Sequence, residues 1–168
     1  MSNPMQVDVA LVRSGVVHKP PDYSVHNTLT ESGREWQSNQ QFIAMLDAYR
    51  PSGGLARAQE VATMWRLRAS SLVHTLAGYI VKRQVVSLQW QGKIWLPLFQ
   101  FNTVDMSLQA ALADVLAELV VALDDWEIAN WFALPNPWLA DASPADMLAC
   151  AAPEVLNAAR AERYVALG

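Results

Sequence analysis

The chain is poor in cysteine, with Cys150 alone, so an intramolecular disulfide framework is excluded. Cys150 sits among alanines with no His or Cys at a metal-ligand spacing, which argues against a zinc site. A small buried hydrophobe is the expectation there. Charge is sparse as well: 17% of the 168 residues are charged and 52% are apolar, a composition that builds a core and is not disordered as a whole. Long apolar runs are missing too. Nothing approaches the roughly 18 uninterrupted residues of a membrane span, and the opening stretch MSNPMQVDVALVRSG is too broken for a signal peptide, so a cytoplasmic protein is expected.

Catalytic patterns are equally scarce. The chain has no H-E-x-x-H, no G-x-S-x-G, no phosphate-binding glycine loop and no C-x-x-C. His74 follows Ser70 and Ser71 at helical spacing, but no third group stands ready to orient it. Asp124, Asp125 and Glu127 read as a solvated acidic turn. No catalytic residue, metal or cofactor is therefore expected. His18 and His26 read as surface residues without ligand partners.

What is present is aromatic and patterned. There are seven tryptophans, expected as core or interface anchors. Residues 85–101, VVSLQWQGKIWLPLFQF, alternate in the strand period around Gln91-Gly92 and predict a β-hairpin with a two-residue or a four-residue loop. The shorter loop would pair Trp90 with Lys93, Leu88 with Trp95 and Val86 with Pro97 on one face. Ser87 and Gln89 would then stand opposite Leu96 and Ile94 on the other. A lone hairpin is marginal in water, so helices must cover it.

Around the hairpin the period becomes helical. Residues 1–34 carry scattered turn formers and read as a weakly structured segment, with 5–12 alternating well enough for one strand. Residues 35–49 predict a helix with Trp36, Phe42, Met45, Leu46 and Tyr49 on its apolar face, stopped by Pro51-Ser52-Gly53-Gly54. Residues 55–65 predict a second helix through Leu55, Ala58, Val61, Ala62 and Trp65. A third is predicted over 71–83, with Ser70 as its cap. Further helices are predicted over 107–124, capped by Ser107 or Asp105, and over 126–134. Pro135-Asn136-Pro137 should end the latter, and Trp138-Leu139 should plug into the core. Ser143-Pro144-Ala145-Asp146 is the best helix start in the chain, and that helix is read as running to 152. Pro153 then opens the last one, with Val155, Leu156, Ala159, Tyr164 and Leu167 as apolar contacts. The fold class expected is mainly α. A helix-turn-helix-like unit with a β-hairpin wing (35–101) is followed by a small C-terminal helical bundle (102–168).

Charge divides along the same line. Residues 50–93 hold seven bases against Glu60 alone (+6), and 94–168 hold ten acids against Arg160 and Arg163 (−8), within a net charge of −4. Such asymmetry suits a polyanion on one side and a basic partner on the other. Helix, turn, helix and hairpin is the order of a winged DNA reader. Ser71, His74 and Thr75 would open its recognition helix, with Arg66, Arg68, Lys82, Arg83 and Lys93 positioned to neutralise phosphates. That helix offers no central Asn, Gln or Arg for bidentate base reading.

One run of features resembles a known family. It comprises Glu60-Val61-Ala62, the Val85-Val86…Leu88 strand, Pro97-Leu98-Phe99-Gln100-Phe101, the helix from 107 and Trp126…Trp131. It continues with Pro135-Asn136-Pro137-Trp138-Leu139 and Ser143-Pro144 with Asp146 and Leu148. In order and spacing, over about residues 55–165, this resembles the Xre/MbcA/ParS antitoxins, whose C-terminal domain pairs with RES-domain toxins. The family often has glycine before the Ser-Pro cap, where this chain has Ala140-Asp141-Ala142. The resemblance implies a mostly helical homodimer whose C-terminal bundle covers the toxin's active site and whose helix-turn-helix part binds operator DNA of its own operon. RES-type toxins degrade NAD, so the resemblance also implies a basic partner surface. Asp141, Asp146, Glu154 and Glu162, with Arg160, Arg163 and Tyr164, are the residues expected to face it. Two other readings stay open: a DNA-binding regulator without a toxin, and a non-catalytic adaptor that binds another protein.

Overall fold

Gln91 and Gly92 both take positive φ, 47° and 68°, as the central pair of a two-residue hairpin turn requires. The structure, a computed structural model, describes residues 24–68 and 75–168, with side chains from residue 33 onward. The turn joins β2 (Leu88–Trp90) to β3 (Lys93–Pro97), with Trp90 opposite Lys93, Gln89 opposite Ile94 and Leu88 opposite Trp95. Of the two loop lengths, the shorter is the one formed.

The ladder ends there, against expectation. Val86 does not pair with Pro97, nor Ser87 with Leu96. Those positions of β3 pair instead with β1 (Leu55–Arg57), giving a three-stranded antiparallel sheet in the order β1-β3-β2. The reason lies at Gln100, buried in the short 3-10 turn Leu98–Gln100. Its amide takes over the backbone N–H and C=O of Val86 and so ends the strand pairing.

Residues 55–57 were expected to open a helix and form β1 instead. Gly53 (φ 104°) and Gly54 (φ 84°) turn the chain back on itself. The backbone is thereby laid along β3, with the Leu98 N–H donating to Gly54 O at 2.9 Å. Helix α2 therefore starts later and runs Ala58–Arg68, its first turn capped as Glu60 accepts from the Arg57 N–H.

Helix α1 (Ser24–Tyr49) begins well before the expected residue 35, so the weakly structured reading of 24–34 is corrected. Ser, Asn and Thr each weaken a helix by only a few tenths of a kcal/mol, and a helix anchored at its far end extends one residue at a time. Phe42, Met45 and Tyr49 are that anchor, all buried. Trp36 and Leu46 are exposed rather than core. The expected strand over 5–12, His18, and Ser70, Ser71 and His74 lie outside the described residues, as does the side chain of His26.

Helix α3 (Leu76–Val81) is shorter than predicted. Thr75 caps it, its hydroxyl accepting from the Gly78 N–H. Helix α4 (Leu112–Leu119) starts late for a related reason. Asp105 binds the Ser107 hydroxyl and amide within a turn, and residues 108 and 109 are held extended against Phe101 and Gln100. Helix α5 (Asp125–Ala133) opens with a capping box between Asp124 and Glu127, so the acidic turn is structural rather than merely solvated.

Helix α6 (Pro144–Met147) carries the expected Ser143 cap but ends early, and α7 (Ala152–Leu167) closes the chain. Val155 and Ala159 of α7 are buried and Leu156 partly so, while Tyr164 and Leu167 are exposed. Two further expectations fail on burial. Trp138, in the 3-10 turn Pro137–Leu139, is 71% exposed because Leu139 takes the inward position. Cys150 is exposed.

The sheet is apolar on both faces. Leu88, Trp90 and Trp95 join the larger core, with Phe42 stacked on Trp90 at 4.0 Å and α4, α5 and α7 behind. Ala56 and Leu96 join a smaller core with Val61, Trp65, Leu76, Val85, Phe101 and Met106. The larger core draws on α1 and β2 as well as on residues 112–159, so it crosses the expected border between residues 101 and 102. Among the described residues the protein is mainly helical, with seven α-helices and this one small sheet.

Candidate interaction surfaces

The basic residues singled out from the sequence divide into those exposed to a partner and two that bond within the fold, Arg68 and Arg83. Arg66 and Arg68 are exposed in the last turn of α2, where cations complement the helix dipole. Arg68 also donates to Thr103 O at 2.8 Å. Arg66 and Thr75 line one hollow with Gln59, and Gln59 also borders a second hollow that Arg57 and Lys93 share. Residues 57, 59, 66, 75 and 93 therefore border two adjoining hollows beside α2, the first floored largely by the apolar side chains of Ala62, Trp65, Leu76 and Ala77. Lys82 is exposed at the end of α3.

Arg83 stands apart. It takes a left-handed backbone (φ 53°) and sends its guanidinium across to the turn between α4 and α5. There it donates to Val120 O at 3.0 Å, Leu123 O at 2.8 Å and Asp125 Oδ1 at 2.8 Å. Proposed from sequence as a phosphate contact, it is an internal strap between the two halves.

The residues expected to face a toxin are also divided, because they lie toward the two ends of α7. Ten residues of helix separate Glu154 from Tyr164, which is about 15 Å. At the first end stand Asp141, Asp146 and Glu154, all exposed. Asp146 is engaged locally, accepting from the Ser143 hydroxyl at 2.7 Å while its N–H donates back to that hydroxyl.

At the other end Glu118 of α4, only 18% exposed, accepts from Arg163 at 2.6 Å and Arg160 at 3.3 Å. Tyr164 and Leu167 line the same hollow. Glu162 is half-buried. Glu118 was missed in the sequence, although Arg160 and Arg163 are three apart and so share a helix face that calls for an acid opposite.

Among the described residues, two groups have shifted ionisation. Burial pushes the Tyr49 phenol well above its ordinary 10.0, and its hydroxyl donates to Ala129 O at 2.6 Å. Bonds from the Ser107 hydroxyl and amide lower the Asp105 carboxyl from 3.8. Among the described residues no group of three or more His, Cys, Asp or Glu is placed to hold a metal ion. No described helix is long and apolar enough to cross a membrane. No family model, curated protein or solved structure matches the chain.

Proposed function

We propose that the chain is a cytoplasmic, non-catalytic antitoxin of the Xre/MbcA/ParS type. It acts as a homodimer, binding a RES-type toxin through its acidic C-terminal bundle and covering that toxin's active site. What carries this reading is that the residues of the resemblance fall at the joints of one helical bundle. Gln100, of the Pro97-to-Phe101 run, ends the sheet, the Asn136 side chain closes the turn after α5, and Ser143 caps α6. A partner-binding bundle also agrees with the −8 charge of residues 94–168. Co-expression with a RES-domain toxin tests the idea: a co-purifying complex and restored growth are expected. Neither a complex nor rescue would sink it.

The exposed cations around α2 support a second role, binding operator DNA with the helix-turn-helix-like α2–α3 unit and the β2–β3 wing. Arg57, Arg66, Arg68, Lys82 and Lys93 are exposed there. A mobility-shift assay on the DNA upstream of the operon should show salt-sensitive binding weakened by Arg66→Ala or Lys82→Ala. Binding indifferent to both substitutions rejects this face. Arg83 is a poor probe, since its loss disturbs the fold.

A further inference from the structure

The turn after α5 is held from within and carries an aromatic ring outward. Asn136 is buried, and its side chain accepts from the Trp138 N–H at 2.9 Å. Its backbone N–H donates to Ala142 O, and its carbonyl accepts from Leu139 and Asp141. Leu139 is buried in the larger core. Two consecutive non-glycine residues, Ala140 (φ 52°) and Asp141 (φ 63°), are in the left-handed region, which side chains with a Cβ rarely adopt. Between these fixed points Trp138 stands 71% exposed, close in sequence to the exposed Leu134. Reversing the chain here needs neither a large apolar side chain at 138 nor strain at 140 and 141. A rigid turn that holds a tryptophan in water has the form of a preorganised binding anchor, because an indole brings a large contact area at little cost in rotamer entropy.

We infer that Trp138 anchors this chain in an apolar pocket with a cationic rim on a partner protein. The inference rests on the proposed antitoxin function and names the contact that function uses. The rim follows from charge: residues 134–154 hold Asp141, Asp146 and Glu154 and no Lys, Arg or His. The same stretch disfavours other occupants. A second copy docked two-fold would bring acids against acids, and nucleic acid or an anionic membrane would be repelled. Arg160 and Arg163 of α7 are both engaged by Glu118, which leaves them less available to a partner.

The test is calorimetric titration of a RES-domain toxin with full-length wild type, Trp138→Ala and Trp138→Phe. Trp138→Ala should raise Kd by about tenfold or more, and Trp138→Phe by less, as for a central aromatic anchor. Both variants should melt with wild type, since the ring makes little of the core. Wild-type affinity should fall as salt rises. A wild-type complex matched in affinity by Trp138→Ala overturns the anchor and leaves the proposed function standing. No complex with wild type overturns both. Affinity indifferent to salt overturns the cationic rim, and a Trp138→Ala protein that loses only self-association assigns the turn to a second copy instead.

Discussion

Gln100 holds Val86 by both of its backbone groups: Oε1 accepts the valine N–H at 2.7 Å, and Nε2 donates to the valine carbonyl at 2.9 Å. Nε2 also donates to Pro97 O at 2.9 Å, so one buried amide completes an edge that no strand reaches. Gln100→Leu is close in size but leaves those two Val86 groups buried without partners. At about 1–3 kcal/mol for each orphaned group, the variant should lose about 2–6 kcal/mol. The measurement is the urea midpoint at unchanged m-value, and a loss under about 1 kcal/mol contradicts the assignment.

Arg83 should behave as a strap in the same assay. Its guanidinium makes three bonds to the turn between α4 and α5, two of them to carbonyls just past the end of α4. A lysine ammonium lacks the planar fork these acceptors need, so Arg83→Lys should cost about 1–2 kcal/mol despite keeping the charge. Asp125→Asn should cost about 0.5 kcal/mol or less, because that pair is solvent-exposed and the carbonyl bonds persist. Equal losses from the two substitutions would place the strap's strength in the ion pair instead.

These two residues also show where the sequence was legible. The hairpin register was readable because alternation and a Gln-Gly turn act over a few neighbours. The Ser143-Pro144 cap was readable for the same reason. The joints were not. Gln100 replaces a strand pair through a bond to a residue fourteen positions away, and Arg83 reaches Asp125 across forty-two. Nothing local in the sequence encodes either partner. The strand at 55–57 was hidden because Leu55, Ala58 and Val61 fit a helical period, while the glycines before them decide the direction of the chain. The capping box at 124–127 was legible and misread, since Asp-x-x-Glu before an apolar run is itself a helix start. For the interaction residues the sequence carried charge but not position: it could not separate the two ends of α7 or foresee Glu118 between its arginines.

Cys150 tests the boundary between pattern and packing. A free cysteine is usually buried, yet this thiol is exposed, with only long contacts to Asp146 O at 3.9 Å and Met147 O at 3.6 Å. The native protein should therefore react promptly with a thiol reagent to one equivalent, without denaturant. Cys150→Ser should change stability by less than about 0.5 kcal/mol. A thiol that reacts only on unfolding refutes the exposed placement.

Tyr49 predicts the alkaline limb of stability. Its hydroxyl is buried between α1 and α5, and burial raises its folded pKa well above 10.0. In the unfolded chain the phenol ionises near about 10. Below that value both states are neutral, and the tyrosine's contribution is fully present. As pH rises past it, the unfolded state loses its proton first and is favoured, so stability falls until the folded pKa is reached. Urea midpoints should thus be insensitive to this residue up to about pH 9 and decline above about 10. Tyr49→Phe should lose about 1 kcal/mol at neutral pH with its hydrogen bond, yet show a shallower alkaline decline. Wild-type and Phe curves that run parallel from pH 8 to 11 would mean that the Tyr49 phenol is not the group that resists ionisation.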